Sequence, residues 1–228
     1  RIVMTLGREV STKGSTFTIR RFRDEPFTPV DLLEFKTFSS MQIAFFWLAM
    51  QYGMSMLFVG GTASGKTTSL NACSLFLPWQ HKIVSIEETR ELNLPHPNWI
   101  PGCTRQGIGG ESAGSGVKAA GEVDMYDLLR AALRERPEYI IVGEIRGAEA
   151  YVLFQAMATG HTTYSTFHAD SIQSLVHRLE NKPIEIPRVL IPALDGISIQ
   201  IQTRVGGKRV RRNKGIIEII GIDPHSHE

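Results

Sequence analysis

Gly60-Gly61-Thr62-Ala63-Ser64-Gly65-Lys66-Thr67 sets the frame for the whole chain of 228 residues. Its form, a glycine, four residues, then glycine, lysine and a hydroxyl residue, is that of a phosphate-binding loop. Such a pattern carries weight only between a strand and a helix. Both flanks qualify: residues 56–59 read as a short buried strand, and residues 66–76 as a helix. Glycines let backbone N–H groups crowd around phosphate oxygens, and the helix turns the positive end of its dipole toward them. Lys66 is expected on the β- and γ-phosphates of ATP, and the Thr67 hydroxyl on Mg2+. The other loop residues and Thr68 complete the expected nucleotide-binding set. The competing reading, a chance turn of small residues, leaves both flanks unexplained.

On either side the chain alternates. Before the loop, Ser39 or Ser40 can cap a helix that runs to Tyr52, where Gly53 can end it. After it come a strand over 82–86, a helix over 124–136, a strand over 139–142, a helix over 148–159, a strand over 163–167 and a helix over 171–181. This order predicts an α/β fold with a mostly parallel sheet covered on both faces. The tail predicts antiparallel strands over 197–205 and 208–222, joined by Gly206-Gly207. At the other end, residues 2–6 and 15–22 predict a hairpin, and Pro26 and Pro29 mark a stiff connection. The expected division is a remnant of an N-terminal α+β domain over 1–24, a linker over 25–35, and the main domain over 36–228. Residues 107–121 hold six glycines in fifteen, which reads either as a mobile loop near the site or as a plain insertion.

Composition narrows the classes. With 42% hydrophobic and 21% charged residues the chain can bury one good core and a fragment of a second. The first residue, Arg1, in strand-like sequence, reads as the start of an excised piece. The longest apolar stretch, residues 43–50, is far short of the roughly 20 needed to cross a bilayer, so a soluble chain is expected. Cys73 and Cys103 are read as reduced thiols in a cytoplasmic protein. A formal net charge of +2 excludes little.

Candidate chemistry gathers at strand ends. The apolar run 139–142 delivers Glu144, which can hold magnesium through water or order the attacking water. The strand over 83–86 runs into Glu87, Glu88 and Glu91, any of which can supply the base or water-positioning group that ATP hydrolysis needs. Arginine forks suit the charge on the γ-oxygens, and the candidates are Arg130 and Arg134 on one helix face, Arg146 after Glu144, and Arg20, Arg21 and Arg23 in the hairpin. His161 and His168 bracket the strand over 163–167, with His168 at the end where it can sense the γ-phosphate. Lys208, Arg209, Arg211, Arg212 and Lys214 can touch nucleic acid or anionic lipid, but a solvated strand face is the expected reading.

Four motifs stand in a particular order: the phosphate loop, the acidic segment 87–91, the strand ending in Gly143-Glu144-Ile145-Arg146-Gly147, and Thr159-Gly160-His161 through Phe167-His168-Ala169. In that order they resemble the type II/type IV secretion ATPase superfamily, whose members power protein secretion, pilus dynamics and archaellum assembly. The resemblance covers roughly residues 17–178. It implies a RecA-like P-loop NTPase core, the catalytic glutamate at Glu91, the Walker B glutamate at Glu144, the His-box histidines at His161 and His168, and the arginine-rich strand at Arg20 and Arg21. The stretches 14–22 and 128–134 resemble the archaeal members. Glu88 stands where many relatives carry aspartate, which leaves the roles of Glu87, Glu88 and Glu91 undivided. The resemblance also implies a homo-oligomer, a hexamer, with ATP between the two lobes of each subunit. It implies peripheral docking on the cytoplasmic side to a polytopic membrane platform protein, with no nucleic acid. A nucleic-acid translocase shares the nucleotide core and stays as the alternative. A small-molecule kinase is disfavoured by the motif order.

Overall fold

A computed structural model describes residues 2–9, 12–19, 25–107 and 120–221. Two short strands, β1 (Ile2–Thr5) and β2 (Thr16–Ile19), pair antiparallel as a separate two-stranded sheet. After them, Thr28 caps α1 (Pro29–Glu34) through a reciprocal bond with Asp31, so a helix stands inside the stretch expected as linker. Its Leu32 is buried in the main core, which explains the helix: pairing of local cap and apolar contact outweighs the two prolines. Ser39 and Gln42 form the same kind of capping box at the start of α2 (Ser40–Gln51). The chain then enters β3 (Met56–Gly60), α3 (Lys66–Cys73), β4 (Ile83–Glu87) and β5 (Trp99–Cys103). It continues through α4 (Met125–Arg134), β6 (Tyr139–Val142), α5 (Glu149–Ala158), β7 (Thr162–Phe167) and α6 (Ile172–Glu180). A hairpin of β8 (Gly196–Val205) and β9 (Lys208–Glu218) closes the main sheet.

That sheet has seven strands in the order β5-β4-β6-β7-β3-β8-β9. Every neighbouring pair is parallel except β8 with β9. Strand alternation sends Leu57 and Val59 to one face and Met56 and Phe58 to the other, and each set joins a separate core cluster. The first cluster packs beneath α4, α5 and α6; the second beneath α1, α2 and α3, with Phe46 stacked on Phe58 at a centroid distance of 5.4 Å. The α/β reading and the mostly parallel sheet are therefore correct. The strand absent from the sequence reading is β5, which contains Pro101. Among the described residues it pairs only with β4, and an edge strand tolerates a residue that has no N–H to donate.

Residues 108–119 lie outside the described residues, so neither reading of the glycine-rich segment is tested. Its flanks meet, because Arg105 and Val123 exchange two backbone bonds of 2.9 Å. Both cysteines are free thiols, Cys73 buried and Cys103 exposed. No helix among the described residues is long and apolar enough to cross a membrane.

Candidate active site

The phosphate loop follows β3 at the C-terminal end of the sheet, where ligands of open α/β sheets bind. Gly60 must be glycine, since a Cβ there would lie 2.3 Å from the Gln200 carbonyl oxygen and 2.5 Å from Ser64 Oγ. The loop then turns through left-handed backbone at Ala63 (φ 58) and Gly65 (φ 96). In α1, α2, α4 and α6 a side chain caps the first turn; α3, like α5, has no side-chain cap, and its N-cap Gly65 belongs to the phosphate loop. Its N-terminal N–H groups and positive dipole end therefore face the cleft. Lys66 is 8% exposed and donates to the Gly61 carbonyl at 2.9 Å, and Ser64 Oγ donates to the same oxygen at 2.8 Å. Burial lowers the Lys66 pKa, and the Glu144 carboxylate opposes that shift.

A cleft of about 930 Å³ surrounds the loop and brings together Lys66, Thr67 and Thr68 with Glu87, Glu88, Glu91, Glu144, Arg146 and His168. Glu144 follows β6 by two residues, and Thr166 Oγ1 donates to the intervening Gly143 carbonyl at 2.7 Å, which anchors the strand end to β7. The Arg146 guanidinium hydrogen bonds to Glu144 and lies 3.7 Å from Glu88. The bond to Glu144 raises the Arg146 pKa further, so this cation is shared between two carboxylates within the chain. Glu87 is buried, and its Oε1 accepts the amides of Glu91 at 2.9 Å and Leu92 at 3.0 Å. That grip sets the turn that carries Glu91. Its other oxygen, Oε2, is buried with no partner among the described residues, and desolvation raises the Glu87 pKa. The acidic turn is thus not simply solvated.

Other expected residues fall elsewhere. His161 precedes β7 at its N-terminal end, and the six-residue strand puts roughly 20 Å between it and the cleft. Its surroundings are a second groove with His81, Arg136 and Thr159. Arg130 and Arg134 do not line the cleft; they are exposed on α4, with the Arg130 guanidinium 5.6 Å from the Tyr126 ring centroid. Arg20, Arg21 and Arg23 lie outside the described residues. The basic strand is solvent-exposed at Lys208, Arg209, Arg211 and Lys214, as expected, and it also lines the cleft with Arg209, Arg211 and Arg212. Pairing of β9 with β8, which flanks β3, is what carries it there.

A family model described as Type II/IV secretion system protein matches residues 8–207. The chain belongs to this family. An uncharacterized protein of Methanocaldococcus jannaschii is 47% identical over 196 residues, covering 86% of this chain and 70% of the relative. A second one from that organism is 45% identical, covering 97% of this chain and 38% of the relative. The type IV secretion system protein PtlH of Bordetella pertussis is 34% identical over 74% of this chain and 51% of its own length. Among solved structures, the VirB11 ATPase of the Brucella suis type IV secretion system is 26% identical with a TM-score of 0.63, covering 89% of this chain and 61% of that one. The pilus retraction motor PilT shares the fold at 21% identity and a TM-score of 0.63, covering 96% of this chain and 63% of that one. The chain therefore spans between 38% and 70% of the lengths of these relatives. The secretion-ATPase resemblance and the RecA-like core read from the sequence are correct.

Proposed function

We propose that this chain is the nucleotide-hydrolysing engine of a type II/IV secretion, type IV pilus or archaellum machine, binding Mg-ATP in the cleft and working as a hexameric ring. The observation that carries the reading is the convergence on one phosphate loop of an uncapped helix end, buried Lys66, and the carboxylates Glu91 and Glu144. The helix end and Lys66 suit the β- and γ-phosphates. Hydrolysis needs a water oriented in line with the bond between the γ-phosphorus and its bridging oxygen; attack breaks that bond and releases ADP and phosphate. A carboxylate at hydrogen-bond reach can orient that water and take its proton. Glu91, held by Glu87, is the first candidate, with Glu144 beside the loop.

The donor set fits magnesium. Thr67 and Glu144 line the cleft and offer the hard oxygen ligands that magnesium takes alongside phosphate oxygens. Bound magnesium would neutralise phosphate charge. The proposed partners are identical subunits and a membrane platform protein on the cytoplasmic side, and no nucleic acid is expected. The division at 1–24, 25–35 and 36–228 stands as part of this proposal, with Arg20 and Arg21 as candidates to report nucleotide state across it. Steady-state phosphate release from Mg-ATP across protein concentration, with and without single-stranded DNA, tests the reading. Turnover per subunit that climbs with concentration and ignores DNA is expected. Strong DNA stimulation would replace the motor by a translocase.

A further inference from the structure

Strand β9 lies beyond residues 8–207, so the family match does not extend to it. Three consecutive residues of this strand each hold a different part of the molecule. Arg211 Nε donates to the Ala63 carbonyl at 3.0 Å, at a left-handed residue of the phosphate loop. Its stem lies over Gly65, where an added Cβ would come 3.2 Å from Arg211 Cδ. Arg212 donates to the carbonyl of Phe35, the C-cap of α1, at 2.9 Å. The Asn213 N–H donates to the Thr37 carbonyl at 2.8 Å, and its Oδ1 accepts from Gln42 of α2 at 2.8 Å. Asn213 Nδ2 donates to Ser198 Oγ of β8 at 2.7 Å.

The local register explains how neighbours on one strand reach separate targets. Ile199 pairs with Gly215 but Gln200 pairs with Asn213, so Lys214 is an extra residue that bulges the strand and increases its twist. The Ala63 carbonyl shares one planar unit with the next N–H, so holding the carbonyl fixes the tilt of the peptide between residues 63 and 64. Amides of such loops are the groups that meet phosphate.

We propose that residues 211–213 form a strap that holds the phosphate loop in its left-handed course against the turn between α1 and α2, with Arg211 as the positioning residue for nucleotide binding. The proposal rests on the ATP reading above. An arginine is required because Nε donates from within the side chain while the stem covers Gly65; a lysine ammonium sits at the end of its stem and is strongly hydrated. Loss of the strap leaves the phosphate donors in place and makes binding order them first, which weakens affinity more than turnover at saturation.

The test is titration of the chain with a fluorescent N-methylanthraniloyl ADP, alongside KM and kcat for ATP and melting temperature without nucleotide. Arg211→Ala is expected to raise Kd and KM by about tenfold, with kcat within about threefold of wild type. Arg211→Lys should bind as weakly as Arg211→Ala, and Lys208→Ala, a basic residue of β9 outside the cleft, should match wild type. Wild-type affinity in Arg211→Ala overturns the strap, as does full rescue by lysine or an equal loss in Lys208→Ala, since either would assign the effect to charge alone. Should Arg211→Ala melt early, Arg211→Lys decides by the same criterion. A wild-type chain that binds no nucleotide overturns the ATP reading and the strap together; wild-type binding with unaffected variants overturns the strap only.

Discussion

On one side of the phosphate loop, the C-terminal ends of β4 and β6 deliver Glu87 and Glu144; on the other, the antiparallel β9 lays Arg209, Arg211 and Arg212 along the same cleft. The acidic wall is built from local strand-to-turn geometry. Each carboxylate sits at or just after the last residues of a buried parallel strand, and its neighbours in sequence hold it: Glu91 and Leu92 donate to Glu87, and Arg146 pairs with Glu144. The basic wall depends on contacts far apart in the chain. Arg211 reaches Ala63, 148 positions away, and Arg212 reaches Phe35, 177 positions away. Under the proposed function the difference separates two jobs: the acidic wall would act on the γ-phosphate and water, while Arg211 of the basic wall would hold the loop that binds.

The strongest challenge to this separation is to remove a carboxylate and ask what is lost. Glu91→Gln or Glu144→Gln is expected to leave nucleotide affinity within a few fold while lowering the rate of phosphate release by about 10²–10⁴. Unchanged turnover would strip the residue of that role. Lys66→Ala, at the centre between the walls, is expected to weaken binding by about a hundredfold, read by the same nucleotide titration. Gly60→Ala forces a Cβ onto the Gln200 carbonyl and should destabilise the fold by about 2–3 kcal/mol in chemical denaturation.

A smaller effect probes the acidic wall by pH. The raised Glu87 pKa means that the unfolded chain ionises first as pH climbs from the ordinary glutamate range to the Glu87 value, so the folded state loses stability across that window. Glu87→Gln keeps an acceptor for the two amides and removes the titration. Its melting temperature relative to wild type is expected to rise through the window; a difference independent of pH would contradict the assignment. The smallest effect belongs to His161→Ala, which should leave nucleotide affinity within about twofold because the residue lies at the far end of β7.

What could be read in the sequence follows the same divide. The loop, the buried strands and the carboxylates at their ends show in short windows, because burial pattern and turn chemistry act over a few residues. Helix α1 was obscured because Pro26 and Pro29 read as linker, although Pro29 opens the helix and Thr28 caps it. β5 was hidden by Pro101 and by an edge position that no window records. His161 and His168 bracket β7 in the sequence as in the structure, and the direction of that strand brings only His168 to the cleft. The pairing of β9 with β8 is legible in the turn at Gly206-Gly207, but the place of β8 beside β3 and the bulge at Lys214, which together bring the arginines to the cleft, leave no mark in a short window.

Steady-state phosphate release from Mg-ATP, measured on the wild-type chain and on Lys66→Ala at the same protein concentration, tests most directly that this cleft hydrolyses ATP. Release by the wild type that falls to background in the variant is the predicted result. Equal release from both, or no release from a wild-type chain saturated with nucleotide, would contradict it.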